Sequence, residues 1–168
     1  MTQIIHITWD GPFTFKELDK INNEKIDKGV YQIYGSHPVY GSNVLLYIGK
    51  ASGETFKERL IIEMNNWEEE ENIEQIKIYV GRFYGKETPD DKEWSKQIDM
   101  VEKLLICSHF PTYNLSRKGS YKDPALFDLH IYNWDEYRNL LPEVSGGRWT
   151  DKFDAIEKKE KWHRYGEN

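Results

Sequence analysis

Two short segments that combine tyrosine with glycine constrain the fold of this chain more than any other feature of its sequence. The first, Gly29-Val-Tyr-Gln-Ile-Tyr34, has the period-two pattern of a β-strand. The second, Val44–Ile48, follows a connection over 35–43 that is rich in glycine and serine and contains a proline. Two strands joined in this way form an antiparallel hairpin with an enlarged loop. We therefore expect a hairpin with a tyrosine on each strand.

The segments around this hairpin predict further strands and helices. Before it, a strand at 5–9 is closed by the turn Asp10-Gly11-Pro12, and Thr14 with Glu17 forms a capping box that begins a short helix. After it, we expect a helix, then a strand over 73–83, then a longer helix that begins at Thr88-Pro89. Apolar residues at helical spacing give the buried faces of these two helices: Phe56, Leu60, Met64 and Trp67 in the first, and Trp94, Ile98, Val101 and Leu105 in the second.

The C-terminal part has weaker patterns. We expect a strand over 126–132, a short helix capped by Asn133 and Glu136 that ends near Leu141, and a charged amphipathic helix over 151–164. Together the patterns predict an α+β fold, a small antiparallel or mixed three-stranded sheet flanked by helices, with a C-terminal strand-helix extension.

Composition limits the class of protein. A chain of 168 residues fits one domain over 1–168, and no segment approaches the roughly 18–20 apolar residues of a membrane span. One cysteine, Cys107, fits a cytoplasmic location better than a disulfide framework. A net charge of −6 argues against coating nucleic acid non-specifically, although it leaves room for a local basic site.

The tyrosine motifs and their surroundings resemble the GIY-YIG nuclease superfamily. Gly29-Val-Tyr31 and Tyr47-Ile-Gly-Lys-Ala51 match its two motifs, and Arg59, Glu102 and Asn114 follow in the family's order. The match covers about 28–121, leaving a strand and helix over 1–27 and an extension over 122–168. The matched segment is similar to the nuclease domain of the excision repair endonuclease and to homing endonucleases. The resemblance implies a Mg²⁺- or Mn²⁺-dependent endonuclease that hydrolyses phosphodiester bonds in DNA.

The same resemblance assigns roles to individual residues. It makes Tyr31, Tyr47, Arg59 and Glu102 catalytic, with Glu102 as the metal ligand and Tyr31 as the general base. A tyrosine ordinarily titrates near 10, so an alternative is that Tyr31 only orients a water whose pKa the metal lowers. Arg59 has a guanidinium suited to bidentate contact with phosphate oxygens. A structural ion pair is the alternative role for Glu102, because an unpaired buried charge is costly.

Supporting and substrate-binding roles complete the prediction. Gly49 permits a close backbone approach, and Asn114 fixes the loop after the long helix by binding backbone or a catalytic tyrosine. Lys50 supports the site as a second cation and forms a basic rim with Lys57, Arg59, Arg117, Lys118 and Lys122. The connection over 35–43 is longer than is usual in the family, and 122–168 has no zinc-finger spacing. The alternative function is a non-catalytic module that binds nucleic acid or a protein partner, and a homodimer is possible.

Overall fold

The structure, a computed structural model, describes residues 3–67, 73–114 and 124–149. These residues form a six-stranded sheet: β1 (Gln3–Phe13), β2 (Gly29–His37), β3 (Gly41–Ala51), β4 (Lys77–Tyr84), β5 (Leu129–Asp135) and β6 (Glu143–Ser145). The described helices are α1 (Phe56–Trp67), α2 (Asp91–His109) and α3 (Gly146–Trp149), with 3₁₀ segments at Phe15–Ile21, Ile73–Gln75 and Pro124–Leu126. The α+β class is confirmed.

The prediction of a three-stranded sheet is wrong. The strand order is β3-β2-β4-β1-β5-β6, so the predicted hairpin and third strand form only half of the sheet. β1 and β5 are parallel, and every other neighbouring pair is antiparallel. The sheet therefore draws strands from each of the three parts of the chain, 1–27, 28–121 and 122–168. The missed pairings join segments far apart in the chain, for which local patterns carry no signal.

The two faces of the sheet are covered by different helices, because alternate side chains of a strand point to opposite faces. On one face, Tyr31 and Val80 pack with Phe56 and Leu60 of α1. On the other, Val30 and Ile48 pack with the apolar stripe of α2. We call these the α1 face and the α2 face. The first core also includes Leu18 and Ile21 of the predicted capped helix, and the Thr14 N–H donates to Glu17 as its capping box requires.

Several predicted boundaries change. β1 continues past Asp10-Gly11-Pro12, which forms an irregularity within the strand rather than its end. The hairpin strands extend to His37 and from Gly41, so most of the expected loop is strand. α2 is capped by Asp90, whose side chain accepts a hydrogen bond from Glu93 N, and not by Thr88.

The short helix predicted after Asn133 is wrong. Asn133 lies in β5, where Oδ1 accepts from Trp9 Nε1 at 2.9 Å and Nδ2 donates to Leu141 O at 2.8 Å. The side chain is thus engaged inside the sheet and cannot cap a helix. The predicted helix over 151–164 lies outside the described residues.

Candidate active site

Tyr31 and Gly49 face each other across the β2–β3 hairpin, and the phenol ring of Tyr31 lies against the glycine. The two residues are register partners, and Tyr31 is fully buried. A Cβ at Gly49 would lie less than 3.0 Å from Cζ and Oη of Tyr31 and 2.7 Å from Cε1 of Tyr47. The rings of Tyr31 and Tyr47 are 6.2 Å apart between centroids. The predicted close approach at Gly49 is confirmed, and its cause is that the two tyrosines occupy the space of a side chain.

Arg59 reaches this pair from α1, the helix on the same face. Its guanidinium forms an ion pair with Glu63 one turn later on the helix, and Glu63 is buried. The Arg59 guanidinium acts on the buried Tyr31 hydroxyl through its charge and its N–H groups, and no described residue accepts a hydrogen bond from that hydroxyl. A neutral hydroxyl therefore lies next to a cation, and the proton of that hydroxyl has no acceptor among the described residues.

The environment of Tyr31 determines its protonation. Burial, then the negative charge of Glu63 and the neighbouring Tyr47, raise the pKa of Tyr31 well above its ordinary value, against the opposing effect of Arg59. A phenol in this state is protonated at neutral pH. Of the two roles considered for Tyr31, this arrangement favours orienting a water over acting as the general base.

Glu63 was missed in the sequence, although it is the acidic residue that pairs with Arg59 beside Tyr31. A glutamate on a charged helix ordinarily lies in solvent, and here the side chain is 7% exposed. The only available signal was its spacing, four residues after Arg59, which places the two side chains on one helix face.

Glu102 lies on α2 and contacts Lys50. Its carboxylate is 3.3 Å from Lys50 Nζ, and Glu102 is 3% exposed. Lys50 also pairs with Asp99, which in turn pairs with Lys103 at 2.8 Å. The ion pair considered as the alternative role for Glu102 is present. Asp99 was missed because it lies on the polar border of the apolar stripe, where a carboxylate usually has no specific role.

Asn114 clamps the outer strand of the hairpin. Its Oδ1 accepts from Ile48 N at 2.9 Å, and its Nδ2 donates to Ile48 O at 2.8 Å. The preceding residue adds a backbone bond from Tyr113 N to Leu46 O at 2.8 Å. Of the two predicted partners of Asn114, the backbone is the one observed. The segment after α2 thus docks along the edge of β3.

The predicted catalytic residues fall into two groups at one end of β3. Tyr31, Tyr47 and Arg59 belong to the α1 face. Glu102 belongs to α2, whose apolar stripe covers the opposite face. The groups meet at consecutive residues, since Gly49 contacts the tyrosines and Lys50 contacts Glu102. Because β3 is the outermost strand, its end at Gly49 and Lys50, past the Asn114 clamp on Ile48, lies next to both faces.

The predicted basic rim is only partly described. Lys50 and Lys57 both form ion pairs, the latter with Asp19 at 2.6 Å. Arg117, Lys118 and Lys122 lie outside the described residues. The described cations of the rim are therefore already paired with carboxylates of the chain.

A divalent metal would depend on few protein ligands. Within 3–67, 73–114 and 124–149 there is no cluster of three or more His, Cys, Asp or Glu side chains. Mg²⁺ commonly binds through one or two carboxylates and retains several waters, so Glu102 and Asp99, one helical turn apart, are a fitting donor set. Lys50 now occupies the position between them that a cation would share.

Comparison with protein-family models, with curated proteins and with solved structures found no match for this chain. None of the helices in the described part of the chain is both long and apolar enough to cross a membrane.

Proposed function

We propose that this protein is a metal-dependent endonuclease of the GIY-YIG type that hydrolyses phosphodiester bonds in DNA with Mg²⁺ or Mn²⁺. The observation that carries the proposal is the buried Tyr31 hydroxyl, which lies beside the Arg59 guanidinium and has no hydrogen-bond acceptor among the described residues. An unpaired buried polar group costs free energy, which is commonly retained only where it serves a ligand or a reaction.

Hydrolysis of a phosphodiester requires a deprotonated water, stabilisation of the charge on phosphorus, and a proton for the leaving oxygen. Arg59 is suited to bind two non-bridging phosphate oxygens as negative charge develops on them. The Tyr31 hydroxyl can donate to a phosphate oxygen or accept from the attacking water, and Tyr47 lies beside it in the same role. Glu63 holds Arg59 in place and keeps its charge directed at this position.

Glu102 and Asp99 would hold the metal on the other side of the β3 edge. When bound, the metal would lower the pKa of a coordinated water and offset phosphate charge. Lys50 pairs with both carboxylates now and would be released towards the phosphate as a further cation. In this arrangement the raised pKa of Tyr31 is no obstacle, because Tyr31 need not lose its proton.

The experiment is cleavage of supercoiled plasmid by the purified chain with Mg²⁺ or Mn²⁺, compared with Arg59→Ala and Glu102→Gln. Lys77→Ala, an exposed charge change on β4, is the control. We expect nicking by the wild type and by Lys77→Ala, and a decrease of at least about 100-fold in the two site variants. Equal nicking by all four proteins would show a contaminant, and no nicking of any DNA by the wild type would refute the proposal.

A second candidate is a module of the same fold that binds nucleic acid or a protein without catalysis. It is favoured by the ion pairs of Lys50, Lys57 and Arg59, which leave these cations committed within the chain. This candidate predicts that the wild type binds DNA or a protein partner but does not nick it with either metal.

A further inference from the structure

A cavity lies at the end of the sheet near β4, and its lining does not include Tyr31 or Tyr47. It measures about 520 Å³, within the range of about 300–1,000 Å³ typical of small-molecule sites. Its walls come from the N-terminal part of β1, the segment before β2, the end of β4 with the loop that follows, and the first turns of α2. Nothing in the proposed reaction uses these residues.

The cavity has aromatic surface next to an unused donor. Trp94 and Tyr84 line it, and Tyr84 is 61% exposed. The Nε1 of Trp94 is buried and has no acceptor among the residues the structure describes. Gln97, one turn further along α2, adds an amide to the same wall. An aromatic ligand would stack on the face of the Trp94 ring, leaving the in-plane Nε1–H for a hydrogen-bond acceptor of the same ligand outside the stack.

The charge of the cavity favours an anion. Lys25, Arg82 and Lys86 line it, against a single lining carboxylate, Glu87. Arg82 is engaged by Asp27 at 2.6 Å. Lys25 and Lys86 are exposed, and neither forms an ion pair with a described residue, in contrast to Lys50 and Lys57 of the predicted rim. Two ammonium groups without an ion pair to a described residue thus line the cavity together with Trp94, over whose ring Lys28 Nζ lies at 5.7 Å.

The cavity is close to the candidate active site. Arg82 pairs in register with Gly29, which precedes Tyr31 by two residues on the neighbouring strand. Strand geometry places the Cα atoms of Arg82 and Tyr31 roughly 8 Å apart. The Arg82 guanidinium also lies 6.0 Å from the ring of Phe56, which packs in the same core as Tyr31. A single nucleic-acid strand can therefore reach both places.

From these observations we propose that the cavity binds an unpaired nucleotide, with its base against Trp94 and its phosphate between Lys25 and Lys86. This inference rests on the proposed function for the identity of the substrate, and it specifies a DNA with a single-stranded or extruded nucleotide near the cleavage position. A paired base in a duplex would have its face and its edge already occupied, so it could not use this wall.

The test measures binding without metal, so that cleavage plays no part. A fluorescein-labelled single-stranded 12-nucleotide DNA and its duplex form are titrated with the intact chain in EDTA by fluorescence anisotropy, and free dAMP is added as a competitor. The variants are Lys25→Ala/Lys86→Ala, which changes only exposed side chains, and Trp94→Phe, which keeps a ring but removes the donor. Lys77→Ala, which removes one exposed positive charge outside the cavity, serves as the control.

We expect the wild type to prefer the single strand to the duplex. The double variant should lose about tenfold in affinity, with the slope of log K against log salt reduced by about 0.7 for the one lost phosphate contact. Trp94→Phe should lose about fivefold, and Lys77→Ala should bind as the wild type. Competition by dAMP would show that the site accepts an isolated nucleotide. Competition only by unlabelled single-stranded DNA would show that the site requires a nucleotide within a DNA strand. Either result supports a nucleotide site.

The inference is overturned if both cavity variants bind the single strand as tightly as the wild type, or if the wild type binds no nucleic acid. These results are separable from failure of the nuclease. If the wild type nicks plasmid but the cavity variants bind single-stranded DNA as the wild type does, nucleotide binding in the cavity is refuted and the proposed endonuclease activity is supported. If the cavity variants bind single-stranded DNA more weakly but the wild type nicks no DNA, nucleotide binding in the cavity is supported and the proposed endonuclease activity is refuted.

Discussion

Replacement of Gly49 by alanine tests the packing on which the candidate site depends. The new Cβ would lie less than 3.0 Å from Cζ and Oη of Tyr31, where carbon contacts normally need about 3.5–4.0 Å. The ring cannot retreat easily, because Tyr31 is fully buried. The strand cannot retreat easily either, because the neighbouring Ile48 is held on both backbone groups by Asn114.

The expected cost follows from this overlap. Overpacking of a filled core by one methyl group costs about 1–3 kcal/mol. For a chain of this length, 2 kcal/mol corresponds to a decrease in Tm of roughly 4–8 °C. A shift of about 1 Å in the Tyr31 hydroxyl would also reduce cleavage by about 100-fold if the proposed reaction is correct. Stability and cleavage should therefore both decrease.

Gly53→Ala is the matched control, since a Cβ at Gly53 would meet nothing within 4 Å. Urea unfolding of both variants, followed by circular dichroism, measures the difference. We expect Gly53→Ala to remain within about 0.5 kcal/mol of the wild type. If Gly49→Ala also stays within that margin, the described packing of Tyr31 against β3 is wrong, whatever the protein does.

Three further predictions concern neighbouring contacts. Asn114→Ala would leave both backbone groups of Ile48 without their partner and should lower the free energy of unfolding by about 1–3 kcal/mol; a urea midpoint unchanged from the wild type would contradict the clamp. The pKa of Tyr31 is raised in the folded state, so its contribution to stability is complete below about pH 10 and is lost as the pH rises towards the folded-state pKa. Tyr31→Phe lacks this group and should therefore lose less stability than the wild type between pH 9 and about 11. Unfolding measured at each pH checks this. Glu63→Gln replaces a charged acceptor of Arg59 by a neutral one and should reduce cleavage about tenfold, and full activity in this variant would show that Arg59 is positioned without it.

The parts of the fold that could be predicted have local signals. The alternation around Tyr31 and Tyr47 predicted β2 and β3, and the four-three-four spacing from Trp94 predicted the buried stripe of α2. Thr14 and Glu17 predicted their cap because both partners lie within one turn.

The parts that could not be predicted depend on residues distant in the chain. Asn133 followed by Glu136 has the local pattern of a cap, but the partner that determines its role, Trp9, is 124 residues away. β6 has only three residues, too few for a periodic pattern. These features are set by pairing within the sheet, for which a single sequence holds no direct signal.

The candidate site divides in the same way. Gly49 and Asn114 were identified from the motif, and their contacts are those expected of the residue types. Glu63 and Asp99 were missed, because a carboxylate on a charged helix has an ordinary explanation until its burial or its partner is known. The division of the site between two faces was also beyond the motif, since residue order does not specify on which side of a strand a helix packs.

The position of β1 has a consequence for how this chain folds during synthesis. β1 pairs with β4 and with β5, and Gln3 is the register partner of Leu129. The first strand to be synthesised therefore cannot complete its pairing until β5, the next-to-last described strand, has been synthesised. Contacts of such large sequence separation slow folding, because a long loop must close before they form. Until β5 leaves the ribosome, one edge of β1 has no strand to pair with, a feature on which aggregation and chaperone binding act. We therefore expect a fragment ending before residue 129 to be far less soluble than the full chain, even though it contains every residue of the tyrosine motifs.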